Sequence, residues 1–327
     1  GIGCSMSEQI TSELDHTLLL LPKRILTRLC KFVLKGTLVV GKFFKNEDQN
    51  NIAAVIGQPI KHSLSPLIHN AAFSHQNLNW SYSAIEVSKH ELSDCFEEIR
   101  DNGIRGVSVT MPLKEAVIPF LDRVTPAVTE LEAVNCIFWD RDELVGHNTD
   151  GDGFVNSLIA ETGDQISGTS FAIIGAGGAA RSVIRSLKKA SVGEIVVINR
   201  NQEKAKFASE LGHPVAEVGT VEKIPRCKYI INATSIGMAE TTNEGLMPFP
   251  MEYLNSDQTV IDLVYNPIMT PLLLQAKERG ATVVTGVGML IHQAALQYEL
   301  WTGLKAPVAE MRTKAISQIS KINTINE

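Results

Sequence analysis

No stretch of this 327-residue chain holds the roughly 18 consecutive apolar residues that a bilayer-spanning helix requires, so no transmembrane segment is expected. Cysteine is scarce and scattered. Cys4, Cys30, Cys95, Cys136 and Cys227 form no CxxC pair, which excludes a zinc ribbon or a disulfide framework and points to a reducing, cytoplasmic setting. The eight histidines build no HExxH, and neither His62 nor His69 has an acidic or histidine partner nearby, so no metal site is expected. A formal net charge of -6 leaves the body of the chain without the basic footprint of a nucleic-acid binder. Internal repeats and low-complexity tracts are also absent. Residues 16 to 45 lack acids altogether while carrying Lys23, Arg24, Arg28, Lys31, Lys35, Lys42 and Lys45. Arg24, Arg28, Lys31 and Lys35 share one face of a helix, so a basic amphipathic segment is expected inside an extension, residues 1–50, of unknown role. Its two readings are a membrane or organelle address and an extension without function.

What is present is an alternation of strands and helices. "IAAVI" (52–56) reads as a buried strand and "SPLIHNAAFSHQN" (65–77) as a helix with Ser65 as N-cap and Pro66 at its first position. Ser88 and Glu91 form a capping box ahead of a helix that Gly103 closes. Short helices follow around 113–121 and 126–132. "AVNCIFW" and "ELVGH" form a strand pair across the turn "DRD". Alternation of this kind predicts a parallel sheet covered by helices. The helix opening at "NTDGDGF" leads to a βαβ unit, "FAIIG", "AARSVIRSLKKA" and "EIVVINR". Strands at 228–234, 259–265 and 281–286 come next, and a long helical tail after them.

Chemistry enters at "GAGGAA" (175–180). Gly175, Gly177 and Ala180 give G-x-G-x-x-A between a strand and a helix, with Ala176, Gly178 and Ala179 in the same loop. Gly175 permits the tight turn. Gly177 lets backbone approach a pyrophosphate, and the helix N-terminus offers free N–H groups to it. The next strand ends in Asn199 and Arg200, with Lys204 a helical turn on, where an NAD site carries a carboxylate. A guanidinium there pairs with a ribose 2′-phosphate, so the expected cofactor is NADP.

The ordered set "VIGQPIKHSLSPLIHN", "GVSVTMPLKE", "AVNCI", "GHNTDGDGF", "IIGAGGAARS", "INATSIGM", "DLVYNP" and "GVGMLIHQAA" resembles the shikimate dehydrogenase family from about residue 52 to the C-terminus. The resemblance implies an α/β fold of two domains: a substrate-binding domain, 51–150, and a Rossmann-type NADP domain, 151–287. Terminal helices, 288–327, return to the first. It implies NADPH-dependent reduction of 3-dehydroshikimate to shikimate, on the route to chorismate and aromatic amino acids, by a monomer or homodimer. Ser63 and Ser65 would then bind the substrate carboxylate, and Thr110, Lys114, Asn135 and Asp150 the ring hydroxyls. Gln293 would reach in from the terminal helix, and Tyr265 would close the pocket. Asn232, Ala233, Thr234 and Ser235 would line the cofactor, with Gly286 and Met289 near the nicotinamide.

The implied reaction explains the Lys–Asp pair. Hydride addition to a ketone develops negative charge on oxygen, which a nearby ammonium stabilises and protonates. A carboxylate beside the lysine keeps it charged and oriented. Two departures stand out: Ser108 where many members have Asn, and the basic extension. The rival within the family is a quinate/shikimate dehydrogenase of quinate catabolism. Those members often carry Thr in place of the second serine and an acidic residue that binds NAD, whereas this chain has Ser65 and Asn199-Arg200.

Overall fold

A computed structural model of the chain describes residues 42–44, 51–60, 63–239 and 241–325. The amphipathic helix expected within 16–45 therefore lies outside the described residues, save for 42–44.

From residue 51 the chain builds two six-stranded sheets. The first contains β1 (Asn51–Gly57), β2 (Trp80–Glu86), β3 (Gly106–Val109), β4 (Arg123–Val124), β5 (Cys136–Asp140) and β6 (Glu143–His147) in the order β2-β1-β3-β5-β6-β4. It is mixed rather than parallel throughout. β1 runs parallel to β2 and β3, but β5 is antiparallel to both β3 and β6. The cause is local: β5 and β6 are joined by a two-residue turn with Arg141 at φ 56°, and so short a link can only reverse the chain.

Helix α1 (Ser65–His75) begins at Ser65 itself. Leu64 is the N-cap, and the Ser65 N–H donates to Ser63 Oγ at 3.3 Å, so the capping role expected of Ser65 falls to its neighbour. The Ser88–Glu91 pair forms as expected, over a 3₁₀ turn that leads into α2 (Leu92–Asp101). Leu92, Cys95, Phe96 and Ile99 are the buried stripe of α2, at the spacing of one helix face. The helix expected at 113–121 is instead a series of turns ending in a 3₁₀ turn, Ile118–Phe120, because Pro119 has no N–H to continue a ladder. Helices α3 (Pro126–Leu131) and α4 (Asp150–Thr162) complete this part.

The second sheet contains β7 (Ser170–Ile174), β8 (Glu194–Ile198), β9 (Ala216–Val218), β10 (Tyr229–Asn232), β11 (Thr259–Asp262) and β12 (Thr282–Val284). All pairs are parallel, in the order β12-β11-β10-β7-β8-β9, the doubly wound arrangement. Its strands are apolar on both faces. Phe171, Ile173, Ile195 and Val197 point into one core, and Ala172, Ile174, Val196 and Ile198 into another. Helices α5 (Gly178–Lys189), α6 (Gln202–Glu210) and α7 (Pro271–Glu278) cover these faces. The strand order reverses between β7 and β10, and a crevice opens at their C-terminal ends.

Two long helices, α8 (Val287–Thr302) and α9 (Val308–Ile325), end the described chain. They return to the first sheet: Ile291, Tyr298, Met311 and Ile319 share a core with Ile68 and Phe73 of α1 and Val55 of β1. Helix α4 lies against both α5 and α8 and has glycine at each contact. A Cβ on Gly151 would fall 2.1 Å from the Ser182 carbonyl oxygen, and one on Gly153 2.6 Å from the Gln293 backbone nitrogen.

Candidate active site

The two sheets turn their strand ends toward a cavity of about 430 Å³. Ser63, Ser65, Thr110, Lys114, Asn135, Asp150, Tyr265 and Gln293 all line it, so every expected substrate or catalytic residue is brought to one place. The local sequence explains how. Thr110 directly follows β3, and the glycine at position 57 leaves room for it, since a Cβ there would stand 2.4 Å from Thr110 Cγ2. Buried Leu113 and Val117 anchor the following turns, and the Lys114 carbonyl accepts from Val134 N–H at 2.8 Å. The lysine side chain is thereby directed inward. Asp150 stands in the first turn of α4, where the helix dipole favours a carboxylate.

Lys114 Nζ donates to Asp150 Oδ2 at 2.5 Å. Asn135 Nδ2 donates to Asp150 Oδ1 at 2.6 Å and to Thr149 Oγ1 at 3.0 Å, while Asn135 Oδ1 accepts from Thr149 N–H at 2.8 Å. The amide protons of Asn135 are thus directed to protein groups. Asn135 ties Asp150 to Thr149 while also lining the cavity. Behind it, Tyr82 donates to Ser108 at 2.7 Å, and Ser108 donates to Gln297 Oε1. Burial pushes the Tyr82 phenol well above its usual range, so it stays protonated, and burial raises Tyr265 as well. Ser108 is buried and lines the cavity floor.

The expected cofactor residues divide. Ala176, Gly177, Gly178, Asn199 and Lys204 line a second cavity of about 560 Å³ together with Arg181, Glu115 and Phe207. Ala179, Gly286 and Met289 line the first. Gly175 has φ 116°, and a Cβ on it would meet the Ala233 carbonyl oxygen at 2.9 Å, so the turn admits only glycine. At Gly177 and Gly178 a Cβ would meet no protein atom within 4 Å. Open space above a helix N-terminus is the cradle a diphosphate requires, and the residues fit a dinucleotide. Arg200 is exposed at the end of β8 and lines neither cavity. Asn232 is a correction: its side chain is fully buried and donates to Ile236 O at 3.1 Å and Asp262 Oδ1 at 2.9 Å, so it shapes the loop that carries Ala233 and Thr234 instead of lining a cavity. Ala233 and Thr234 are partly exposed, and Ser235 is exposed.

Sequence reasoning missed two residues. Arg181, in the first turn of α5, lies over the Phe207 ring and pairs with Glu115 at 3.2 Å, joining the two parts of the molecule. Gln297 is buried at the cavity floor. Its signal was available: Gln293 and Gln297 are four apart, on one face of the largely apolar "MLIHQAALQYELW".

Three family models match the chain. Residues 55–137 match the shikimate dehydrogenase substrate binding domain, 157–264 match shikimate / quinate 5-dehydrogenase, and 286–316 match the shikimate 5'-dehydrogenase C-terminal domain. The shikimate dehydrogenase (NADP(+)) of Moorella thermoacetica is 40% identical over 270 residues, 80% of this chain and 90% of that protein. A crystal structure of shikimate 5-dehydrogenase from Thermus thermophilus, in complex with NADP(H) and shikimate, aligns with a TM-score of 0.76 at 35% identity, covering 81% of this chain and 98% of that one. Quinate dehydrogenase from Corynebacterium glutamicum, in complex with NAD, aligns at 0.75 with 29% identity over 82% of this chain and 99% of that one.

Proposed function

The chain belongs to the shikimate dehydrogenase family, and we propose that it catalyses the reversible, NADP-dependent interconversion of 3-dehydroshikimate and shikimate. The observation that carries the reading is the Lys114–Asp150 pair, 2.5 Å apart in a cavity that also holds Ser63, Ser65 and Gln293. The first sheet with the terminal helices binds the substrate, and the second sheet binds NADP.

Bound NADPH supplies the hydride that the ketone carbon receives. Lys114 stabilises the charge that develops on the ketone oxygen and gives up a proton to it; in the oxidative direction it takes the proton back. Asp150 holds the ammonium in place, and Asn135 holds Asp150. Ser63 and Ser65, at the N-terminus of α1, take the substrate carboxylate where free N–H groups and the dipole favour an anion. Thr110 and Gln293 contact ring hydroxyls, and Tyr265 closes the carboxylate end. For the cofactor, Gly177, Gly178 and Ala179 hold the diphosphate, and Arg200 with Lys204 take the 2′-phosphate. Gly286 and Met289 border the nicotinamide. The free, buried Cys95, Cys136 and Cys227 suit a reducing cytoplasm, and no helix among the described residues is long and apolar enough to cross a membrane.

The test is spectrophotometric: initial rates for shikimate with NADP against quinate with NAD. A higher kcat/KM for shikimate with NADP supports the reading. Faster oxidation of quinate with NAD replaces it with the catabolic one.

A further inference from the structure

Gln297 is 2% exposed at the floor of the cavity, and no step above uses it. Its carboxamide has three polar neighbours on its nitrogen side and one on its oxygen side. Nε2 stands 2.8 Å from Gln293 Oε1, 3.2 Å from the Asn135 carbonyl oxygen and 3.4 Å from Thr149 Oγ1. Oε1 accepts from Ser108.

These neighbours leave the amide one orientation. The Asn135 carbonyl can only accept, so the group facing it must be the NH₂. The opposite end must then be the oxygen, and Ser108 is free to donate to it because its own lone pair receives the Tyr82 proton at 2.7 Å. A protonated tyrosine, a serine and a peptide carbonyl thus agree on which way Gln297 points. That orientation passes to Gln293. Facing the Gln297 NH₂ at 2.8 Å and the Asn135 NH₂ at 3.4 Å, Gln293 presents Oε1, and its own Nε2 donates one proton to Leu290 O at 2.9 Å, an acceptor that favours the same orientation. One N–H of Gln293 remains for the cavity that it lines. Reversing Gln297 would set its oxygen against both the Asn135 carbonyl and Gln293 Oε1, and would leave the Gln293 amide without its shortest donor at 2.8 Å.

We propose that Gln297 is a positioning residue that, with the Leu290 carbonyl, holds the polarity of Gln293, so that the cavity floor offers a substrate hydroxyl an N–H donor. The inference rests on the reading of this cavity as the shikimate site. It makes Gln297 a determinant of recognition acting through Gln293, outside contact with the reacting atoms.

The experiment is a double-mutant cycle on the full chain with shikimate and NADP. Gln297→Leu raises the KM for shikimate about tenfold, the usual size of a lost buried hydrogen bond to ligand, with kcat within about threefold of wild type and the KM for NADP unchanged. In a Gln293→Ala background the same substitution changes that KM less than about twofold, because the group it acts through is gone. Gln297→Met keeps most of the volume and removes both polar ends of the amide, and it raises the KM at least as much. Equal effects of Gln297→Leu in both backgrounds overturn the inference, as does a wild-type KM in either Gln297 variant. A second readout needs no turnover. In the ¹⁵N-labelled chain the Gln293 side-chain amide protons exchange at least tenfold faster in Gln297→Leu than in wild type; equal rates overturn the inference. Wild-type protein that fails to oxidise shikimate refutes the functional reading, while the exchange rates still decide the role of Gln297.

Discussion

Each sheet buries an aspartate at the C-terminal side of its strands, and the two are used in opposite ways. Asp150, beside the first sheet, faces an ammonium at 2.5 Å and opens into a cavity. Asp262, at the end of β11, is fully buried and meets only neutral donors: Thr270 Oγ1 at 2.7 Å, Asn232 Nδ2 at 2.9 Å and the Val264 N–H at 3.0 Å. Burial raises the Asp262 carboxyl above its usual range, against the pull of those donors. One carboxylate orients a proton donor; the other clips the loops after β10 and β11 to the start of α7. Burial and hydrogen bonding look alike at both sites. What separates a chemical group from a structural one here is an opposite charge and an opening to ligand.

The comparison can be broken most directly at its charged member. Lys114→Ala lowers kcat for shikimate oxidation by roughly 10²–10⁴, the range of general acid–base catalysis, with a smaller change in KM. A variant with near wild-type kcat would place the first aspartate in the same structural class as the second. Next in size is the exposed end of β8. Arg200→Ala reduces kcat/KM with NADP about 10- to 100-fold, as expected for a charge-assisted contact, and leaves the NAD rate unchanged. A parallel fall with both cofactors would remove Arg200 from 2′-phosphate recognition.

Acid separates the two regions further. His69, in α1, is fully buried, stacks on Tyr82 at 4.4 Å, and neither ring nitrogen has a hydrogen-bond partner. Burial pushes its pKa down to about 3. The unfolded chain therefore takes the proton first. The contribution of His69 to stability is complete above about pH 6.5 and is lost as pH falls toward 3, by about 1.4 kcal/mol per unit. Asp262 has the opposite sign: its raised carboxyl contributes fully below the ordinary carboxylate range, and that contribution is lost as pH rises through its raised value. At pH 5 the first sheet should lose hydrogen-exchange protection before the second. His69→Leu should recover roughly 2 kcal/mol of stability at that pH, read from denaturant midpoints. Equal acid sensitivity of wild type and variant would show that His69 does not set the difference.

The smallest effect lies where the two regions touch. Glu115 is mostly exposed, so its pair with Arg181 is worth little. Glu115→Gln frees the guanidinium beside the second cavity and lowers the KM for NADP by no more than about threefold. A larger shift, in either direction, would mean that the pair controls how the two regions meet.

The second sheet was legible because its strands are short runs of Val and Ile bounded by Gly and Asn, and doubly buried parallel strands require such runs. The first sheet was legible in its elements and in the strand pair across the turn at Arg141, but not in the antiparallel setting of β5 against β3, which long-range pairing decides. Lys114, Asp150 and the two serines, which line one cavity, are all carried by ordered motifs. Asn232 was assigned to the cofactor, whereas its buried amide donates to Asp262, 30 positions away. A sequence shows that an amide is present but not which partners fold around it. Gln297 escaped for the same reason, although its spacing from Gln293 held a clue.

The glycines of α4 have a consequence for how such a site can move. Where Gly151 and Gly153 lie, this helix puts no side chain of its own between its main chain and α5 or α8. No rotamer change of α4 can act at those two points. Asp150 and Gln293, carried on touching main chains, form a fixed datum against which the rest of the pocket is measured. Adjustment to a ligand falls to what stands off that datum: the turns bearing Lys114 and the loop bearing Tyr265. The part of the enzyme that must not drift is held by the residues with the least to offer chemically.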